Sequence, residues 1–241
     1  MKLFRWNAPG PYTVAFTTRL GGVSEGPFES LNLGILTDDE SDRVVENRLR
    51  ACAAVGADAG TATMAWQVHG GKVTEARPKG IVERTIFDQC DGLWTDRPGQ
   101  GMALVTADCY PVAIARVAER GRVRLCVLHV GWRGLLAGIV DSGVAALGEG
   151  EVAAILGPGI GPCCYGVGEE VIALFTERFG PEVVTDGHVD LGGATERALV
   201  GAGVQSVERT GHCTSCEPEL FFSHRRDRGR TGRQGVIAYI G

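Results

Sequence analysis

The chain has 241 residues, of which 44% are hydrophobic and 22% are charged, and it contains 36 glycines and 10 prolines. This balance is typical of a folded protein with a sizeable core, and it excludes a disordered chain, a collagen and a coiled coil. The net charge of -5 offers no basic surplus to neutralise a phosphate backbone. We therefore expect small-molecule partners and no nucleic acid.

Several features bear on location and organisation. Residues 1–10 lack the apolar core of a signal peptide, and no stretch approaches the ~20 apolar residues that a membrane span needs. We therefore expect a cytoplasmic protein without a membrane partner. The absence of internal repeats and linkers predicts a single domain over residues 1–241. Eight cysteines are too few for a disulfide scaffold, so each cysteine is expected to pack, to bind metal or to act as a nucleophile.

Strands are predicted where β-branched and aromatic residues cluster or where apolar runs occur. In chain order, these segments are 12–18, 63–68, 72–76, 102–106, 112–117, 123–130, 152–156 and 236–240. The segments 102–106, 112–117 and 123–130 are expected to form the core sheet, the first two pairing around the break at residues 107–111. The chain as a whole shows no strict alternation of strand and helix, which predicts a mixed α/β (α+β) fold.

Three helices are predicted between these strands. Thr37 and Glu40 have the spacing of a capping box, and apolar residues then recur at helical spacing as far as Gly56, which is a typical stop signal. The apolar segment 135–147 predicts a second helix after the loop that follows His129. A third helix is expected from about residue 168 to residue 179.

Two histidines and one cysteine stand at predicted strand ends. His69 and His129 lie at strand–loop junctions beside glycines, and Cys109 lies in the break between two apolar strands, next to Asp108. Two imidazoles and one thiolate form the three-ligand set of a catalytic zinc site, which leaves one position for water or substrate. Spacing alone leaves two alternatives open: structural histidines with a buried cysteine, or a Cys109 nucleophile that a histidine activates.

An anion site is expected in the turn Gly131-Trp132-Arg133-Gly134. Backbone N–H groups at a helix N-terminus and a guanidinium both attract phosphate. Arg19, just past a predicted strand, is a second candidate for the same role. For Arg133, the alternative is a surface arginine or one that pairs with a carboxylate.

The remaining cysteine pairs give weaker signals. Cys213 and Cys216 form a single C-x-x-C, and structural zinc would need two further ligands, of which only His212 is nearby in sequence. Reduced structural cysteines are therefore expected there. Cys163 and Cys164 are adjacent and cannot bridge each other without strain, so we expect packing or loop residues.

Four segments together resemble the YfiH/YlmD family, also called the laccase-domain or multicopper polyphenol oxidoreductase family. They are Gln67-Val68-His69-Gly70, residues 106–112 (Thr-Ala-Asp-Cys-Tyr-Pro-Val), residues 129–134 (His-Val-Gly-Trp-Arg-Gly) and residues 157–165 (Gly-Pro-Gly-Ile-Gly-Pro-Cys-Cys-Tyr). Further matches at 19–24, 30–34, 91–92, 213–214, 221–227 and 231–233 extend the resemblance over nearly the whole chain. The resemblance implies a zinc ion held by His69, Cys109 and His129, in a single α/β domain whose mixed sheets are sandwiched between helices.

The resemblance also implies an activity. Similar proteins are purine nucleoside phosphorylases that act on adenosine, inosine and methylthioadenosine and that also deaminate adenosine, so the expected partners are purine nucleosides and phosphate. Arg19 and Arg133 are the candidates to hold the phosphate, and Asn32 and Gln67 are candidates near the substrate. Asp108 is the candidate to move protons. A homodimer is the default expectation.

Three alternatives remain open. Bacterial relatives are also linked to the editing of peptidoglycan precursors, for which Cys109 or the zinc would cleave an amide. The family name implies copper-dependent polyphenol oxidation, but the chain has five histidines and no His-x-His pair, whereas a multicopper enzyme needs further histidine-rich copper sites. A nucleoside-sensing module would bind nucleosides without turning them over.

Overall fold

A computed structural model of the protein describes residues 1–82, 87–117 and 123–241. In chain order, its elements are β1 (Leu3–Trp6), β2 (Tyr12–Thr17), α1 (Ser41–Val55), β3 (Thr63–Met64), β4 (Val73–Glu75), β5 (Gly92–Thr95), β6 (Met102–Thr106), β7 (Tyr110–Arg116), β8 (Leu125–Val130), α2 (Trp132–Leu136), α3 (Ile139–Leu147), β9 (Val152–Leu156), α4 (Glu169–Phe179), β10 (Val184–Thr185), β11 (His188–Val189), α5 (Leu191–Gly201), β12 (Ser206–Arg209) and β13 (Gln234–Ile240).

Most of the strands belong to two mixed sheets that pack face to face. One sheet has the order β1-β2-β13-β6-β3 and the other the order β12-β9-β7-β8-β5-β4, while β10 and β11 pair separately. Helices α3 and α5 pack on the outer face of the second sheet, and α1 packs on the outer face of the first. This arrangement confirms the mixed α/β fold with sheets between helices.

The strand sequences explain why both faces of each sheet are buried. In β7, Val112 and Ile114 face the helices, whereas Ala113 and Ala115 face the other sheet. Side chains alternate in this way because successive residues of a strand point to opposite faces. A strand that is buried on both faces reads as a continuous apolar run, which is what the sequence shows at 112–117 and 123–130.

The predicted core sheet is correct for two of its three strands. β7 and β8 are antiparallel neighbours, with Val112 opposite Leu128. The expected pairing of 102–106 with 112–117 is wrong, since β6 lies in the other sheet between β13 and β3. β6 and β7 lie in different sheets because the chain turns at residues 107–109. Asp108 there has φ 87°, a left-handed conformation that redirects the chain from one sheet to the other.

Local sequence patterns predicted two helix boundaries and the length of one strand incorrectly. The hydroxyl of Thr37 donates to the carbonyl of Gly34, and α1 begins at Ser41 without a side-chain cap, so the predicted capping box is wrong. The predicted helix 135–147 is two helices, α2 and α3, because Gly138 between them has φ 79°, a conformation that glycine adopts without strain. The strand predicted at 63–68 is limited to Thr63–Met64.

The helix expected from about residue 168 is confirmed as α4. None of the helices in the described ranges combines the length and the apolar character that crossing a bilayer requires. The single domain, the homodimer and the cytoplasmic location stay predictions.

Candidate metal centre and cavity

Antiparallel pairing of β7 with β8 places Cys109 beside His129. Pro111 at the start of β7 lies opposite His129 near the end of β8, so the residue that precedes β7 meets the end of β8 at one edge of the sheet. His69 approaches this edge in the loop between β3 and β4, and its ring centroid lies 4.7 Å from that of His129. The potential ligand atoms of the three residues all lie within 4.8 Å of one another.

Asp91 orients two members of this cluster. The fully buried carboxylate accepts hydrogen bonds from the backbone amides of Val68, His69 and Gly70 at 2.7–3.1 Å. It also lies 2.8 Å from Nδ1 of His129. When Nδ1–H donates to Asp91, Nε2 of His129 is left with a free lone pair, as in metal sites in which a carboxylate fixes the histidine tautomer.

The charges within the cluster favour a thiolate. Burial opposes ionisation of Cys109, but the charge of His129 and hydrogen bonds from His129 and His69 outweigh it and lower the pKa of the thiol to about 6. For His129, burial alone would lower the pKa, but the Cys109 thiolate and the Asp91 carboxylate together raise it. These interactions favour the thiolate form of Cys109, which is the form that binds metals and attacks electrophiles.

A glycine keeps the space beside the cluster free of a side chain. Gly131 faces it, and a Cβ at this position would lie 2.9 Å from Sγ of Cys109 and 3.2 Å from Cδ2 of His69. Two imidazole nitrogens and a thiolate are soft donors that suit zinc, with Zn–N distances of about 2.0–2.1 Å and a Zn–S distance of about 2.3 Å. The donor set and the space therefore fit a zinc ion with one open coordination position.

Asp108 supports the loop that carries Cys109. Its carboxylate accepts a hydrogen bond from the hydroxyl of Thr214 at 2.7 Å and another from the amide of Arg225 at 2.7 Å. Its carbonyl accepts the amide of Ile160 at 2.8 Å. These bonds hold a non-glycine residue at a positive φ, a strained conformation that occurs often at functional sites.

A cavity of about 1010 Å³ opens at the cluster. This volume lies at the upper end of the range for small-molecule sites. Besides the three cluster residues and Asp108, its walls include aromatic side chains and a group of arginines: Trp66, Phe87, Trp132, Tyr165, Arg48, Arg133, Arg225 and Arg233. Flat rings and guanidinium groups around one cavity suit a ligand that combines an aromatic ring with an anion.

The arginines differ in how far their donors are already used. Arg48 is buried and donates to the carbonyls of Leu33 and Ile81, and burial lowers its pKa to about 10. Arg233 donates through Nη1 to two neighbouring carbonyls, while its Nε and Nη2 have no acceptor within the described residues. Arg133 is exposed and stacks on Trp132. Arg133 and Arg233 therefore keep free donors for an anion.

The side chains of three further residues predicted from sequence already form hydrogen bonds within the protein. Gln67 lines the cavity, but its amide exchanges two hydrogen bonds with the backbone of Val105 at the end of β6. Asn32 is fully buried and accepts the amide of Arg233, so it positions this arginine from behind the wall. The structure does not bring Arg19 to the cavity, because its guanidinium donates to the carbonyls of Glu29 and Pro218.

The helix N-terminus predicted to bind an anion is short. α2 has only five residues, and so short a helix has little macrodipole to offer a phosphate. Sequence reasoning did not assign Arg48, Arg225 or Arg233 to the site, or Asp91 to His129. The family resemblance offered a signal for three of these residues, because Asp91, Arg225 and Arg233 lie in the matching segments 91–92, 221–227 and 231–233.

The fold and site define a class: a mixed α/β protein with a thiolate–imidazole centre beside an arginine-lined cavity. Residues 13–241 match the family described as multi-copper polyphenol oxidoreductase laccase. The chain is 37% identical to "Purine nucleoside phosphorylase YlmD" of Geobacillus stearothermophilus, over 93% of this chain and 88% of the relative. It is 32% identical to "Purine nucleoside phosphorylase YfiH" of Escherichia coli, over 98% of this chain and 97% of the relative.

The solved structures agree with these sequence comparisons. The crystal structure of YlmD from Geobacillus stearothermophilus matches with a TM-score of 0.90 at 33% identity, and the match covers 100% of this chain and 96% of that one. The protein therefore belongs to the multi-copper polyphenol oxidoreductase laccase family, the family of YfiH and YlmD.

Proposed function

We propose that the protein is a zinc-dependent purine nucleoside phosphorylase that cleaves adenosine, inosine and methylthioadenosine with phosphate. The names of its relatives support this activity. The observation that carries the proposal is that one cavity joins the His69–Cys109–His129 cluster to arginines with free donors and to aromatic rings. Phosphorolysis needs an anion site and a purine site within reach of the same sugar carbon.

The residues of the cavity suit both substrates. Phosphorolysis breaks the glycosidic C–N bond and forms a C–O bond from phosphate to the anomeric carbon. Arg133 and Arg233 would hold the phosphate through charge-assisted hydrogen bonds, and Trp66, which is 46% exposed, offers a face on which the purine can stack. A zinc ion on the three ligands would supply Lewis-acid polarisation of a bound oxygen.

Tyr165 is a further donor in the same wall. Burial, reinforced by the Cys109 thiolate, raises the pKa of its phenol to about 12. The phenol therefore stays protonated at neutral pH and can donate a hydrogen bond to an anionic or carbonyl oxygen of the substrate.

Asp108 fits a different role from the proton carrier predicted from sequence. Each of its carboxylate oxygens already accepts a hydrogen bond, one from Thr214 and one from the Arg225 amide. We infer that Asp108 positions the Cys109 loop. Adenosine deamination stays part of the proposal as a side activity, with no residue assigned to the proton transfer.

The test is chromatography of the products that zinc-loaded protein forms from adenosine and inosine, with and without phosphate. We expect adenine and hypoxanthine, respectively, only when phosphate is present, and no product with Cys109→Ala. The matched control is Cys126→Ala, because Cys126 is fully buried in β8 and does not line the cavity. Inosine formed from adenosine without phosphate would show the deaminase activity.

Other results would overturn the proposal. Unchanged nucleosides in every condition would exclude the phosphorylase and would favour the alternative of an amidase that uses the Cys109 thiolate. Nucleoside binding in calorimetry without any product would favour a sensing module. Activity that depends on copper and on a phenolic substrate would favour the oxidase.

A further inference from the structure

Two pairs of cysteines, about 50 residues apart in sequence, meet beside the cavity. Sγ of Cys163 lies 3.7 Å from that of Cys213 and 3.5 Å from that of Cys216, and Sγ of Cys164 lies 3.4 Å from that of Cys216. All four sulfurs lie within 4.8 Å of one another. Cys163 and Cys164 lie in a turn, as expected of loop residues, and their sulfurs also contact those of the C-x-x-C pair.

Backbone contacts bring the two cysteine segments together. Gly159 forms a parallel β-bridge with Cys213, and the amide of Thr214 donates to the carbonyl of Gly159 at 3.0 Å. The amide of Gly161 donates to Sγ of Cys213 at 3.2 Å. Amide donors to a sulfur stabilise its thiolate form, so the loop around Cys213 is built to hold a charged ligand atom.

The spacing of the sulfurs fits a single tetrahedral ion. Zinc binds thiolates at about 2.3 Å, so four sulfurs around one ion are separated by about 3.8 Å. A disulfide requires an S–S distance of about 2.05 Å, and adjacent cysteines such as Cys163 and Cys164 cannot bridge each other without strain. An iron–sulfur cluster binds its four thiolates through more than one iron, whereas the close spacing of these four sulfurs favours a single ion. Thiol–thiol hydrogen bonds are weak and give little reason for such a cluster.

We propose that Cys163, Cys164, Cys213 and Cys216 bind a structural zinc ion, separate from the His69–Cys109–His129 centre. This site joins residues 161–165 to residues 213–216 without using a residue of the first centre. A closed set of four thiolates leaves no position for substrate, which is the composition of a structural zinc site.

Residues next to the four cysteines connect this cluster to the cavity. Tyr165 follows Cys164 directly and lines the cavity wall. Thr214, inside the C-x-x-C pair, donates to Asp108, and Asp108 accepts the amide of Arg225. The four-thiolate zinc would thus fix one wall of the cavity and the loop that carries Cys109.

The test is the zinc content of purified, reduced protein, measured by elemental mass spectrometry. We expect two zinc ions per chain in the wild type, one in Cys109→Ala, and one in the double variant Cys163→Ser/Cys216→Ser. The Cys126→Ala control should keep both. One zinc in the wild type that the double variant retains would overturn the proposal, and so would two disulfides detected by mass before and after reduction.

A second measurement does not depend on whether the double variant folds. X-ray absorption of zinc-loaded Cys109→Ala should show four sulfur neighbours at about 2.3 Å, and a chelator should lower the melting temperature of this variant. A zinc shell with nitrogen or oxygen neighbours would contradict the assignment. Both readouts are independent of turnover, so the failure of this site and the failure of the phosphorylase proposal are distinguishable.

Discussion

A single added carbon at Gly131 tests the geometry of the metal centre. The backbone of Gly131 has φ -94° and ψ 170°, which is extended and open to any residue. An alanine therefore causes no backbone strain. Its Cβ, however, would lie 2.9 Å from Sγ of Cys109 and 3.2 Å from Cδ2 of His69, so Gly131→Ala pushes on two of the three proposed ligands.

The expected effect is a loss of metal affinity. Inserting a carbon into a filled space costs about 1–3 kcal/mol. Bound metal holds Cys109 and His69 in place, whereas the metal-free chain can turn the cysteine side chain away. The cost therefore falls on the metal-bound state, and it corresponds to a zinc dissociation constant about 5- to 150-fold higher.

The assay is competition for zinc between the protein and a chromogenic chelator, with the melting temperature of the metal-free protein as a check of folding. The matched control is Gly201→Ala at the end of α5, where an added Cβ meets nothing within 4 Å. This control should keep wild-type zinc affinity. A Gly131→Ala variant with wild-type affinity would refute the proposed ligand geometry, because the three side chains would then not surround the ion.

Three further predictions concern Asp91, Arg233 and Asp227. Asp91→Asn leaves two of the four donors around this side chain without an acceptor. Zinc affinity should therefore fall about 10- to 100-fold, and the free energy of unfolding in urea should fall by ~3 kcal/mol. A stable variant with normal zinc affinity would contradict this prediction. Arg233→Met should raise the KM for phosphate about 10- to 100-fold at fixed inosine, with zinc content unchanged, and an unchanged KM would remove Arg233 from the anion site. For Asp227, burial opposes ionisation, but hydrogen bonds from Arg226 and Thr231 outweigh it and lower the pKa. This stabilisation is present above the unfolded pKa of about 4 and is lost as pH falls through the lower folded value. In urea titrations, Asp227→Asn should therefore lose less unfolding free energy than the wild type below about pH 4. Parallel curves of unfolding free energy against pH for the two proteins would contradict this role of Asp227.

Local sequence patterns were sufficient for the strands that are buried on both faces. β7 and β8 account for residues 112–116 and 125–130 of the apolar runs at 112–117 and 123–130. A strand that is covered on both faces is a continuous apolar run without polar alternation, so it is easy to recognise. The same patterns could not assign a sheet. β6 at 102–106 is as apolar as its neighbours, and only the turn at Asp108 separates it from β7.

Two of the proposed ligands could be found in the sequence because they adjoin strands, Cys109 just before β7 and His129 near the end of β8, whereas His69 lies in a loop beside a glycine. A histidine beside glycines and a cysteine in a break are local features, so His69, Cys109 and His129 could be proposed from the chain alone. Their proximity depends on the register that sets Pro111 opposite His129, and no local pattern encodes this register.

The fold class, the strands buried on both faces and three candidate ligands could be predicted from the chain, since these depend on residue type, periodicity and a resemblance that spans most of the chain. Which side chains share a site became apparent only in the folded protein. The tertiary structure places Arg233 in the cavity and Arg19 outside it, and it brings Cys163 to Cys216 across 53 residues. Such pairings depend on contacts between distant segments, and the two segments show no shared signal before the chain folds.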